Sequence, residues 1–188
     1  MDKEAVNKLI QQKQTEDSLK QEFEQTLSER VARYLAVKPH GIIHNTKFAS
    51  ASSECSLLFR DGHFYGCIAL VQAVAEALVR FLCQKNKKPV GEFENNLEQL
   101  LKNGFITDDI RKSFLKIWER RNDYHHLNPA VETDRQELEK IAKEKAKLIV
   151  EIEQEIFAFT LGTDGSPLYK NPKYWEGCEN KVFLRLNP

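Results

Sequence analysis

Residues 118–129 read Trp-Glu-Arg-Arg-Asn-Asp-Tyr-His-His-Leu-Asn-Pro, and they hold the densest set of groups in the chain that could do chemistry. Arg120 and Arg121 stand close before His125 and His126, with Asn122 and Asp123 between them. A guanidinium stays charged and can grip two phosphate oxygens at once, which suits a pentacoordinate transition state. An imidazole titrates near neutrality and can move a proton to or from a ribose hydroxyl. The pattern therefore points to chemistry on phosphate. No carboxylate cluster or metal-ligand spacing accompanies it, so a reaction without metal or cofactor is expected. RNA fits such a reaction because its 2′-OH supplies the nucleophile internally.

These residues need a scaffold. At 100° per residue from Ile110, Phe114, Ile117 and Trp118 share one face, and Arg121 and His125 continue it. Pro129 disfavours helix at Asn128, so one helix is expected from a Thr107 or Asp108 cap to about Leu127. His126 then falls in the last turn, where it can bend toward Arg121. An inward arginine is costly unless paired, and Glu76 is the candidate partner. The inward phase favours Arg121 over Arg120, while His125 and His126 both remain candidates. The structural alternative is that Arg121 pairs with Glu76 or Asp123 to lock the fold while the histidines cap a helix. Adjacent side chains on a helix diverge by about 100°, so His125 and His126 are poorly placed to flank one phosphate. A two-fold dimer would bring an acid and a base together from two copies.

The 188 residues suit one core, and the fold expected is an all-α, up-and-down bundle of about five helices with an irregular C-terminal tail. Lys plus Arg and Asp plus Glu balance at 28 each, so an anionic ligand must be caught by a local patch. Lys85, Lys87 and Lys88, in the run leaving the apolar helix Phe64–Cys83, form the best such patch and are candidate substrate-binding residues. Residues 2–36 lack Pro and Gly and carry Leu19, Phe23, Leu27, Val31 and Leu35 at four-residue intervals, which reads as an amphipathic bundle helix or helix pair, with a coiled-coil dimer arm the lesser alternative because the period is four rather than heptad. Residues 42–60 allow a helix capped by Asn45 or Thr46, with Phe48, Leu57, Leu58 and Phe59 inward. His40 and His44 are spaced for a metal on a helix, but Pro39 and Gly41 argue against a helix there. Gln72 and Glu76 fall at one edge of the apolar arc of the Phe64–Cys83 helix. A short helix over 93–103 is expected to end at Gly104, and a long one to start at a Thr133 or Asp134 capping box and run to about Gly162. From Thr163 the chain is turn-rich, and 181–186 alternates weakly like a strand without a partner. Cys55, Cys67, Cys83 and Cys178 make no metal pattern and read as packing thiols. With neither an apolar leader nor a membrane-length apolar run, a cytoplasmic protein without a membrane partner is expected.

Arg121-Asn122-x-x-x-His126 resembles the R-x4-6-H signature of the HEPN superfamily, with its polar residue directly after the arginine. Gly62 to Glu76 is similar to the family's early G-x-F/Y-x-x-A/C-I-x-x-x-Q-A-x-E-type helix, and the resemblance covers roughly residues 42–160. It implies a helical domain over 1–162, with the core in 42–162 and a tail over 163–188. It also implies a homodimeric, metal-independent ribonuclease in a toxin, phage-defence or stress role. By the family pattern Arg121 binds the scissile phosphate, His126 acts in acid–base catalysis and Asn122 supports them, while Arg120 with His126 also satisfies the spacing. Arg120, His125, Asp123 and Glu76 are supporting candidates. An antitoxin or other regulatory protein is an expected partner beside RNA. The toxin branch paired with nucleotidyltransferase antitoxins has Tyr two residues after the His, where this chain has Asn128. Non-catalytic RNA-binding or protein-interaction members are the alternative.

Overall fold

The computed structural model describes residues 3–39, 41–44 and 48–177 and the backbone of 182–184. It is an all-α bundle with an irregular C-terminal tail. In chain order the elements are α1 (Lys3–Ala36), β1 (Ile42–His44), α2 (Ala49–Arg60), α3 (Phe64–Lys85), α4 (Phe93–Lys102), α5 (Asp108–Trp118), α6 (Arg121–His126) and α7 (Arg135–Ile156). The tail adds a hairpin of β2 (Phe159–Leu161) and β3 (Pro167–Tyr169), a 3-10 turn at Pro172–Tyr174, and β4 (Val182–Leu184).

The centre is α3. Its apolar arc wraps most of the helix, with Ile68, Val71, Leu78 and Leu82 fully buried, and α2, α4, α5, α6 and α7 all pack against it. Its length and apolarity would suffice to cross a membrane, but here they serve a helix enclosed by neighbours. Cys55, Cys67 and Cys83 are buried free thiols, and burial pushes Cys67 up to about 12. Three turn signals act as their chemistry dictates. The Thr107 hydroxyl accepts from the Ile110 amide, the Asp134 carboxylate accepts from Gln136 and Glu137, and Gly104 closes α4 at φ +70.

Several expectations are corrected. Residues 3–36 form one continuous helix with no buried residue, not a bundle helix, and Leu19, Phe23, Leu27, Val31 and Leu35 face solvent. A stripe stepping by four residues rotates about 40° each time, so no single neighbour can follow it. The C-terminal part of α1 is tied to the bundle by Arg30 to Asp61 (2.7 Å) and Arg33 to Glu139 (2.9 Å). Residues 42–44 are a strand and α2 begins at Ala49, with Phe48 and Phe59 buried but Leu57 exposed. The Asn45 or Thr46 cap, His40 and Cys178 lie outside the described residues. The C-terminal segment does have a strand partner: β4 pairs antiparallel with β1, Ile43 opposite Phe183. α7 stops at Ile156 rather than near Gly162, and Phe157 turns inward.

Beyond α7 the tail closes over the core. Trp175 is buried, stacked on Tyr169 at 4.5 Å and edge-on to Phe157 at 5.7 Å. Truncation of a buried aromatic removes its transfer energy and leaves a cavity. Trp175→Ala is therefore expected to cost about 3–5 kcal/mol in urea unfolding. Leu161→Ala, on the exposed hairpin, should change stability by less than about 0.5 kcal/mol.

Candidate functional site

The helix leading to the Arg–His stretch does not run through to Leu127. α5 ends at Trp118, Glu119 is extended at φ −48 and ψ 131, Arg120 is left-handed at φ 58, and a separate one-turn helix α6 follows. The cause lies on other helices. The Lys145 ammonium of α7 donates to the carbonyls of Lys116 (3.1 Å), Ile117 (2.6 Å) and Glu119 (3.1 Å). The Gln72 amide of α3 donates to Ile117 (3.1 Å) and Glu119 (3.2 Å). A continuing helix would offer those carbonyls to the amides of Arg120, Arg121 and Asp123. With the acceptors taken, the chain turns. Both donors are buried, so Gln72 is not at the edge of its arc. Burial pushes the Lys145 ammonium down to about 8, against the pull of Glu119 and Glu144.

The turn sorts the doubled residues. Arg120 is committed to structure: its Nε donates to the Asp123 carboxylate at 3.0 Å, and its guanidinium also donates to the Ala130 carbonyl and lies 5.8 Å over Tyr124. The hydrogen bond from Arg120, and then that from Asn128, holds the Asp123 carboxyl below its usual range. Arg121 turns toward α3 and is held loosely. Its guanidinium sits 5.1 Å from the centre of the Trp118 ring, 3.3 Å from Asn122 Oδ1 and 3.9 Å from Glu76. Its Nε is buried without a hydrogen-bond partner. Glu76 is held more closely by Arg80. Trp118 is itself fixed by stacking on Phe93 at 4.0 Å.

The histidines differ in their contacts. His125, one helical turn after Arg121, lies against α3 and hydrogen-bonds the Ala69 backbone. Desolvation, and then the Arg121 charge, lower its pKa, so the neutral ring is favoured. His126 ends α6, and both histidines are exposed. Beside Arg121 lies an open cleft of about 610 Å³ whose rim carries Glu92, Glu94, Glu119 and Asp123.

Arg121, Asn122, His125 and Glu76 thus come together, with His126 at the outer edge. Lys85, Lys87 and Lys88 do not join them. They sit where α3 ends, and Lys85 is nine residues past Glu76, roughly 14 Å along the helix. Lys85 is partly engaged, donating to the Glu176 carbonyl at 2.6 Å. His44 Nε2 lies 3.3 Å from the same carbonyl. Among the described residues no three His, Cys, Asp or Glu side chains are grouped to hold a metal.

The inward residues not foreseen as site supports are Lys145, Gln72 and Trp118. Lys145 had a readable signal, because it interrupts the apolar series Leu138, Ala142, Ile149, Ile152, Ile156 at helical spacing. Its lowered pKa gives a test. Between about 8 and 10.5 the unfolded chain holds a proton on Lys145 that the native chain has lost, so stability gains as pH rises through that window. The stability of the native chain relative to Lys145→Met should increase by roughly 2 kcal/mol between about pH 7 and pH 10. An unchanged difference in urea unfolding would show that the three carbonyls keep the ammonium charged.

No protein-family profile, curated protein or solved structure matches this chain.

Proposed function

We propose that the chain is a metal-independent endoribonuclease of HEPN type, active as a homodimer whose site is built from two copies of α6. The observation that carries this reading is the division of labour among the doubled residues. Arg120 is committed to the fold and His125 hydrogen-bonds the Ala69 backbone, while Arg121 is held loosely by Glu76 and Asn122 and His126 stands exposed at the end of α6. Arg121 and His126 have the spacing of the HEPN signature.

In this mechanism Arg121 binds the non-bridging oxygens of the scissile phosphate, and Asn122 steadies the guanidinium through Oδ1. One imidazole removes the proton of the ribose 2′-OH. The 2′ oxygen attacks phosphorus, the bond to the 5′ oxygen breaks, and a second imidazole protonates that leaving oxygen. The products are a 2′,3′-cyclic phosphate and a 5′-hydroxyl. His125 and His126 are both exposed, but adjacent side chains on one helix diverge by about 100°, so the second group is taken from a second copy's His126. The proposed setting is a cytoplasmic toxin, phage-defence or stress response restrained by an antitoxin or other regulatory protein.

A second reading, a non-catalytic RNA-binding or protein-interaction module, is favoured by the acidic rim of the cleft, which repels a phosphate backbone. Cleavage of mixed single-stranded RNAs in EDTA separates the two. The ribonuclease reading expects 2′,3′-cyclic phosphate ends, and at least about a hundredfold loss in both Arg121→Ala and His126→Ala. In Arg120→Ala the main loss should be in stability. Cleavage surviving in His126→Ala, or full activity in a chain that sediments as a monomer, would sink the composite site. A dimer that binds RNA and cleaves none of it would support the module.

A further inference from the structure

The end of the bundle where α3 stops carries lysines that, among the described residues, form no ion pair with a carboxylate. Lys87 is left-handed at φ 54, and the amides of Lys87 and Lys88 close the helix on the carbonyls of Gln84 and Cys83. This closure turns Lys88 across to α4, where its ammonium meets the Asn103 side chain at 2.8 Å and lies 5.7 Å from the Phe105 ring centre. From the tail, Lys173 reaches the same ring at 4.5 Å and donates to Asn86 Oδ1 at 2.6 Å. Asn86 is oriented in turn by Leu82 O and the Tyr174 hydroxyl. The two ammoniums therefore sit within about 10 Å of one another, both against the Phe105 ring.

Cations at a helix C-terminus often serve only its dipole. Here the last carbonyls of α3 already accept backbone amides, and the ammoniums of Lys85, Lys88 and Lys173 bond to neutral oxygens. Among the described residues none of Lys85, Lys87, Lys88 and Lys173 forms an ion pair with a carboxylate. By contrast Lys170, close by on the tail, is paired with Glu155 at 2.5 Å. A left-handed lysine costs backbone energy that a glycine would avoid. Lys87 itself stays exposed, while Lys88 is drawn across to α4.

We infer that Lys87, Lys88 and Lys173 form a docking track for the phosphate backbone of single-stranded RNA, separate from the Arg121 site and completed by the tail. The choice of RNA rests on the ribonuclease reading above. The track deepens it, because the rim beside Arg121 is acidic and the strand needs its electrostatic hold elsewhere. Phe105 holds the ammoniums in place through its face, and the track lies roughly 14 Å or more from Glu76 along α3.

The test uses the full chain carrying His126→Ala, with fluorescence anisotropy of a labelled oligouridylate of about 12 nucleotides. Lys87→Gln/Lys88→Gln/Lys173→Gln should weaken binding about tenfold near 0.1 M salt and lower the salt slope by about 2, at roughly 0.7 per phosphate contact. Lys8→Gln/Lys143→Gln/Lys147→Gln removes the same charge elsewhere and should leave binding within about twofold. Equal losses in both triple variants, or none in the first, would overturn the track. So would binding to anionic vesicles that depends on these lysines while RNA binding does not. Cleavage by the native chain is scored separately. Its absence would count against the ribonuclease, while the binding comparison still decides the track.

Discussion

The arrangement of this molecule hangs on one ammonium in a cage of carbonyls. Lys145, on the longest core-packed helix beside α3, is enclosed and holds the backbone where α5 ends. An ammonium taken from water costs several kcal/mol, and three hydrogen bonds to carbonyl dipoles, the one to Ile117 short at 2.6 Å, offset much of that cost. The helix C-terminus adds a favourable negative end. Gln72 completes the cage from α3, so α3, α5 and α7 are joined at one point by polar contacts inside an apolar core. The turn at Glu119 and Arg120 follows from this, and so does the separate direction of α6.

Once α6 is independent of α5, adjacent residues of the same type acquire different work. Arg120 folds back on Asp123 and the Ala130 carbonyl and holds the loop leading toward Pro129 and α7. Arg121 points to α3, where Glu76 is close enough to attract it but is held more closely by Arg80. A guanidinium over a tryptophan face, with its Nε desolvated and unpaired, retains binding capacity that a fully paired one lacks. Neutral His125 beside that charge avoids the repulsion a second cation would bring.

The two terminal segments have opposite roles. The tail is part of the core through Trp175 and Tyr174, and it returns a strand to β1. It also brings Lys173 to the lysines at the end of α3, so one segment serves packing and charge together. α1 contributes little burial: its exposed row of Leu, Phe and Val extends from a base held by Arg30 and Arg33.

Local signals were readable without the structure. The apolar arc of α3, the Thr107 and Asp134 caps, the Gly104 stop and the helical class all follow from periodicity and backbone preference over a few residues. The same is true of the chemistry in Arg121, Asn122 and His126 as residue types, and of the lysine run at 85–88. The break after Trp118 was not readable, because nothing between Ile110 and Leu127 disfavours a continuous helix. It depends on Lys145 and Gln72, 28 and 45 residues from the carbonyl of Ile117 that they share. Likewise the strand partner of 182–184 and the place of Lys173 depend on contacts across most of the chain. The sequence by itself determined the helical class, the main helical segments and the residue types that carry charge. Only the tertiary structure decided that the helix breaks after Trp118 and that Arg120 folds back while Arg121 turns to α3, because competition for a few backbone carbonyls is settled by donors that folding brings from elsewhere.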